Sequence, residues 1–266
     1  MVSVAAGEMI DGGTYTDVLG RRIWQYREGD PSGRPTVLLH GAFGSASSWG
    51  AQIDDLVDAG LNLYVPERSG HGHSPDHDGP FSYGDMTAET IAYLDQEVGR
   101  PANLVGWIDG AVIALQVARR RPDLVHRLVL MGSYLNSGGR DADEFFGLMR
   151  DRNPDTIDYL RSGYRAASPD GADHFDDVIH KTLAMLDVEP EYPLSEFAAV
   201  GAPTLVVAAD RGVVRLEHAL ALSRTLPHGR LAILPGTHIL PQEAPELFNP
   251  LVISFLAADP PSHWAP

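Results

Sequence analysis

Short apolar runs that end in glycine-bearing turns, with helical patterns between them, are the strongest constraint on this 266-residue chain. Thr36–Leu39 runs into His40-Gly41, Leu61–Pro66 into Glu67-Arg68-Ser69-Gly70-His71-Gly72-His73-Ser74, and Leu104–Trp107 into Ile108-Asp109-Gly110. Further runs lie at Arg127–Gly132 and Pro203–Ala209. Apolar segments of strand length that recur at roughly 30-residue intervals, with helices between, are the signature of βαβ units and a mainly parallel sheet. Two earlier strands, near Thr14–Leu19 and Arg22–Glu28, lead into the turn Asp30-Pro31-Ser32-Gly33. Helices are expected over Ser47–Ala59, Tyr83–Val98, Gly110–Arg121, Leu216–Thr225 and Ala244–Ala257. Pro122 closes the third, and Pro250 should kink or restart the last.

Three turns carry chemistry. Gly106-Trp107-Ile108-Asp109-Gly110 follows a strand and opens a helix, the context of a G-x-S-x-G nucleophile elbow, with isoleucine where serine would stand. Together with the His40-Gly41 turn and the Gly70-His71-Gly72 turn, this segment resembles the α/β-hydrolase superfamily, and the likeness extends over nearly the whole chain. Glu67 replaces that family's aspartate at the start of its D-x-x-G-H-G-x-S turn. The resemblance implies an α/β-hydrolase fold: a mostly parallel sheet flanked by helices, with a helical lid inserted. It assigns 1–137 and 200–266 to the core and 138–199 to the lid.

The same register shows what is missing. Ala209-Asp210-Arg211-Gly212 resembles the loop that supplies the family's triad acid, and Gly212 occupies the acid's place while Asp210 lies two residues upstream. His238 keeps the family's spacing to Glu243 and Pro245. Acyl transfer needs an attacking oxygen, a base and an acid to orient the base. Isoleucine has no lone pair, so ordinary serine-hydrolase chemistry is unavailable. Ile108 is also costly where the elbow demands φ > 0, by about 1–3 kcal/mol for a β-branched residue. Either the turn has relaxed or the site favours an apolar group there.

The resemblance places His238 as general acid or base, with local bracing as its alternative role. The backbone N–H of Asp109 and that of Ala42 or Phe43 would form an oxyanion hole. The Asp109 carboxylate could act directly only if the elbow shifted, and could otherwise brace the start of the helix. Asp210 could orient His238, cap the helix near Leu216 or brace its own turn. His40 begins the oxyanion turn. Trp107 and Tyr134 flank the elbow and could stack on a planar ligand or fill space.

Composition bounds the partners. A net charge of −16 argues against nucleic acid and anionic membranes. No cysteine is present, which removes disulfides, thiolate nucleophiles and Cys metal sites. Glu67, His71 and His73 have metal-like composition, but the turn they form reads as a braced loop, and neither metal nor cofactor is expected. No run approaches about 18 apolar residues, and Met1–Glu8 does not have the form of a signal segment. A cytoplasmic protein with a small-molecule substrate is the expectation, with the tail Asp259-Pro260-Pro261-Ser262 frayed.

Between Gly132 and Pro203, aromatic, methionine and aliphatic residues recur at helical spacing, broken by Pro154, Pro169, Pro190 and Pro193. Most should pack the lid onto the body. A minority, with Phe146 and Met149 as candidates beside His40, Trp107, Ile108 and Tyr134, should line a pocket. Three functions fit: a non-hydrolytic enzyme (lyase, cyclase or isomerase) for a small, largely apolar biosynthetic intermediate; a binding protein that has lost chemistry; or a hydrolase with displaced catalytic residues.

Overall fold

The computed structural model describes residues 10–141 and 143–258. The expectations for Met1–Glu8 and for the 259–262 tail lie outside the described residues. Among the described residues, eight strands form one sheet: β1 (Thr14–Val18), β2 (Arg21–Glu28), β3 (Arg34–Leu39), β4 (Leu61–Pro66), β5 (Ala102–Trp107), β6 (Val125–Met131), β7 (Thr204–Ala209) and β8 (Gly229–Leu234). Their order is β1-β2-β4-β3-β5-β6-β7-β8. The β1–β2 and β2–β4 pairs are antiparallel, and every later pair is parallel.

The continuous apolar runs follow from burial on both faces. Along β5, Leu104 packs into one core cluster with α2 (Tyr83–Tyr93) and α3 (Asp109–Arg120), while Val105 packs into another with α1 (Gly50–Asp58) and α9 (Pro245–Ala257). Helix α7 (Leu216–Thr225) covers β7 and β8. A short helix, α8 (Leu240–Glu243), precedes α9.

The helices depart from their expected limits at the ends. A 3-10 turn, Ala46–Trp49, capped by Ser45, precedes α1. The last turn of the second helix is a π-helix, Leu94–Val98, closed by Gly99 at φ 64°. Helix α9 runs through Pro250 as one continuous helix, so of the expected kink or restart the restart does not occur. Its buried Phe248, Val252, Phe255 and Leu256 pack on both sides of the proline, and this packing outweighs one lost backbone hydrogen bond.

Among the described residues, three α-helices lie between β6 and β7: α4 (Asp143–Arg150), α5 (Pro154–Ala167) and α6 (Phe175–Leu186). They are tied to the body by polar contacts that a helical pattern does not reveal. Lys181 Nζ donates to Asp76 Oδ2 at 2.6 Å and to the His77 carbonyl at 2.7 Å. The His174 ring contacts the same Asp76 oxygen at 2.8 Å, and Glu189 accepts the Tyr83 N–H at 2.8 Å, capping α2 from the insertion.

Candidate active site

The elbow keeps its shape without its nucleophile. Ile108 adopts φ 52°, ψ −109°, so the turn has not relaxed around the β-branched residue. Its N–H donates to the Met131 carbonyl at 2.8 Å, and its own carbonyl accepts from Ala111 and Val112 at 3.0 and 3.2 Å. The two glycines explain how the turn closes. A Cβ on Gly106 would lie 2.3 Å from the Gly110 carbonyl oxygen, and one on Gly110 would lie 2.0 Å from that of Leu39. Both would clash with backbone, so close packing of α3 on the sheet requires glycine at each place.

A cavity of about 390 Å³ opens above Ile108, in the size range of small-molecule sites. From the sheet side it is lined by Gly41, Ala42, Phe43, Trp107, Ile108, Asp109, Tyr134 and His238. The insertion contributes Phe145, Phe146, Met149, Tyr159, Leu160 and Leu186. Ser48, Val213 and Gln242 also line it, and no motif singled them out. Gln242 falls inside the recognised His238 segment but reaches the wall only because α8 turns back, where its side-chain amide donates to the Ser48 carbonyl at 3.2 Å.

The turn after β3 is set by Phe43, at φ 56°, with the Gly44 N–H donating to the Gly41 carbonyl at 3.2 Å. This is the positive φ that a type II-like turn requires at its third residue. Phe43 is steadied edge-on by Phe175 at 6.0 Å. His40 lies behind this turn, fully buried, and does not line the cavity, contrary to expectation. Its Nδ1–H donates to the Gly41 carbonyl at 2.8 Å, and its Nε2 accepts the Arg68 N–H at 3.2 Å. That pairing requires the neutral ring, and burial with the Arg68 charge holds its pKa well below the usual histidine range. Arg68 donates from Nη1 to the His40 carbonyl and from Nη2 to that of Gly41, at 2.5 and 3.0 Å. Histidine and arginine together make the His-Gly turn rigid.

His238 lines the cavity on a loop fixed at two points. Trp107 Nε1 donates to the His238 carbonyl at 2.7 Å, and Glu243 accepts from the N–H and hydroxyl of Thr237 at 2.8 and 2.7 Å. Trp107 itself sits edge-on to Trp49 at 5.8 Å, which places its ring in the framework. The His238 imidazole packs beside Phe145 at 5.9 Å. Burial lowers its pKa, with the Glu243 charge pulling the other way, so the ring is a neutral base near pH 7.

No described acid hydrogen-bonds to the His238 ring. Asp210 is exposed, and its Oδ1 accepts the Gly236 N–H at 2.9 Å, tying the loop after β7 to the loop after β8. It neither reaches His238 nor caps α7, whose N-cap is Arg215. At Gly212 a Cβ would stand 3.9 Å from the His238 backbone nitrogen and 3.4 Å from both the Cβ and the carbonyl oxygen of Ala209. The position that the family resemblance assigns to an acid therefore lies near the His238 backbone and carries no side chain.

Asp109 is buried to 2% exposure at the first position of α3, and makes no side-chain cap there. Its Oδ1 accepts the Tyr83 hydroxyl hydrogen at 2.7 Å. Burial pushes its carboxyl above the ordinary aspartate range, against the charge of Arg68 and the Tyr83 hydrogen bond. Tyr134, also buried, is raised by burial and by the Asp109 charge.

The Glu67 turn is structural. Glu67 Oε1 accepts the Ala46 N–H at 2.9 Å, and Oε2 takes the backbone N–H and ring of His73. His73 stacks on Trp24 at 4.3 Å. Among the described residues no cluster of three or more His, Asp or Glu side chains could hold a metal.

The strand order and the strained elbow define an α/β-hydrolase fold, and the sequence profile of the alpha/beta hydrolase family matches residues 36–251. The chain belongs to that family. Among its relatives, a pyrrolizixenacetamide deacetylase of Xenorhabdus hominickii is 26% identical over 252 residues, covering 86% of this chain and 93% of that protein. The human serine hydrolase BPHL is also 26% identical, over 87% of this chain and 81% of its own length. A solved structure of a meta-cleavage product hydrolase from Pseudomonas fluorescens IP01 superposes with a TM-score of 0.77 at 20% identity, covering 92% of this chain and 97% of that one. Named relatives are hydrolases. Among the described residues, no helix is long and apolar enough to cross a membrane.

Proposed function

We propose that the protein is a non-hydrolytic enzyme of the lyase, cyclase or isomerase type, acting on a small, largely apolar carbonyl compound in the cavity beneath the inserted helices. One observation carries this reading: the elbow keeps φ 52° with isoleucine at its apex. A strained turn persists where surrounding structure enforces it. In this reading the backbone N–H groups of Phe43 and Asp109, both residues of the cavity wall, serve as the oxyanion donors, and Ile108 offers no group to be acylated.

The chemistry available is proton transfer. Neutral His238 takes a proton from the carbon next to the carbonyl, and the electron pair moves onto the carbonyl oxygen, which the two backbone N–H groups stabilise. The imidazolium then returns the proton to another carbon of a conjugated enolate, or the enolate re-forms the carbonyl by expelling a β-substituent that takes the imidazolium proton, or its carbon attacks a second carbonyl of the same molecule, whose oxygen takes that proton. No acyl-enzyme and no water addition is involved. The hydrolase names of the relatives describe those proteins, and this chain departs from serine-hydrolase chemistry at Ile108 and Gly212 together.

A binding protein is the second reading, favoured by the absence of an orienting acid on the His238 ring. Deuterium uptake separates the two. Incubated in D₂O with apolar ketones such as 2-tetralone, the enzyme should speed exchange next to the carbonyl, and His238→Ala should reduce that rate about 10²–10⁴-fold. Ligand affinity should change only a few-fold, because apolar contact supplies binding while proton transfer acts at the transition state. Tight binding with no exchange above background would establish the binding protein.

A further inference from the structure

The cavity wall is apolar except for a few groups, and one of them is unbalanced. Asp109 lines the cavity and is buried to 2% exposure. Its Oδ1 is occupied by the Tyr83 hydroxyl, while Oδ2 takes no hydrogen bond from any described residue. Nor is Oδ2 one of the buried polar atoms sealed without a partner, a set that includes Trp49 Nε1 and Arg68 Nε. The open oxygen is therefore not sealed, and among the described residues the space that Asp109 borders is the cavity. A buried carboxylate oxygen without a donor costs free energy that a ligand's donor would recover. The Arg68 guanidinium lies close enough to offset the charge of Asp109, so the pair favours a neutral donor over a cation.

We infer that Asp109 Oδ2 is a specificity-determining acceptor, and that the ligand is a neutral, mostly apolar ring compound bearing one O–H or N–H group aimed at it. The inference rests on the reading of this cavity as the ligand site. It adds a requirement that shape alone does not impose. Phe145, Phe146, Met149 and Leu160 enclose the apolar body. Asp109, at the mouth of the elbow, holds the polar end beside the Phe43 and Asp109 backbone donors, so the ligand's carbonyl and its donor lie on the same side of the ring system.

Two probe pairs test it: 2-naphthol against 2-methoxynaphthalene, and indole against 1-methylindole. Affinities are measured by calorimetry or ligand-observed NMR on the full chain. A hydrogen bond to a charged acceptor predicts a preference of about 10–100-fold for the donor member of each pair. In Asp109→Asn the Tyr83 hydroxyl continues to donate to the amide oxygen, which turns the NH₂ into the cavity. Donor preference should then vanish or invert toward the ether. Equal affinity within both pairs for the unaltered protein, or binding of none of the four, overturns the inference, as does a donor preference that survives in a folded Asp109→Asn protein. Ketone exchange without donor preference would remove the Asp109 role and leave the proposed reaction standing. Donor preference without exchange would support the acceptor and remove the reaction.

Discussion

Restoring two side chains should restore a hydrolase. In the structure the elbow backbone is already in its strained form, with Ile108 held by the Met131 carbonyl on one side and by the α3 amides on the other. Ile108→Ser therefore places a hydroxyl where the backbone is ready for it and relieves β-branched strain of about 1 kcal/mol or more. Alone it should do little, because no described acid orients His238. Gly212→Asp supplies that acid: its Cβ would meet Ala209 at 3.4 Å and the His238 backbone nitrogen at 3.9 Å, ordinary contact distances. Losing the acid of an intact triad costs about 10⁴ in kcat. The double variant should then hydrolyse p-nitrophenyl butyrate about 10²–10⁴-fold faster than Ile108→Ser, equivalent to about 3–5 kcal/mol of barrier. Intact-protein mass spectrometry should show a transient acyl group on residue 108. Equal rates for Ile108→Ser and the double variant would mean that another acid serves His238, Asp210 first. A folded double variant with neither turnover nor acyl-enzyme would refute the placement of the Phe43 and Asp109 donors.

Two further outcomes follow from buried groups around the site. Tyr83→Phe removes the donor to Asp109 Oδ1 and should lower unfolding free energy in urea by about 1–3 kcal/mol, the cost of a stranded buried acceptor; a loss under about 0.5 kcal/mol would show that the bond contributes little. His71 is fully buried, and burial, with the Arg68 charge behind it, lowers its pKa to about 3 from the ordinary histidine value near 6.5. The unfolded chain therefore binds a proton that the folded chain refuses between those two values, so stability is full above pH 6.5 and falls as pH drops toward 3. One such group contributes a slope of up to about 1.4 kcal/mol per pH unit, and buried His40 acts in the same direction. Urea unfolding at pH 7 and pH 5 should show a smaller pH difference in His71→Gln than in the unaltered protein, and an unchanged difference would remove His71 from the acid response.

Local spacing made much of the fold legible. Leu104–Trp107 followed by Ile108-Asp109-Gly110 is readable as strand, turn and helix because Gly106 and Gly110 are demanded by backbone approach within a few residues. Tyr83–Val98 is likewise legible as a helix, although its last turn becomes a π-helix that periodicity does not distinguish. His40 illustrates the opposite case. Its place in the turn is clear from sequence, yet whether its ring faces the cavity or the framework depends on Arg68, 28 residues away, whose N–H and guanidinium close around it. Asp210 fails as an acid for the same kind of reason: the Gly236 N–H, 26 residues on, claims its carboxylate.

The sequence by itself determined the strand and helix alternation, the elbow, and the presence of Ile108, Gly212 and His238 at the three positions that the family likeness assigns to a triad. These depend on residue type and on contacts close along the chain. Only the tertiary structure decided that the elbow stays strained, that Asp210 is occupied elsewhere, that Ser48 and Gln242 reach the cavity, and that Asp109 keeps an open oxygen within it. Each of those depends on partners brought together from distant segments, Met131, Gly236, α8 and Tyr83, and side-chain direction in a packed core is set by what meets it across the sheet rather than by its neighbours in sequence.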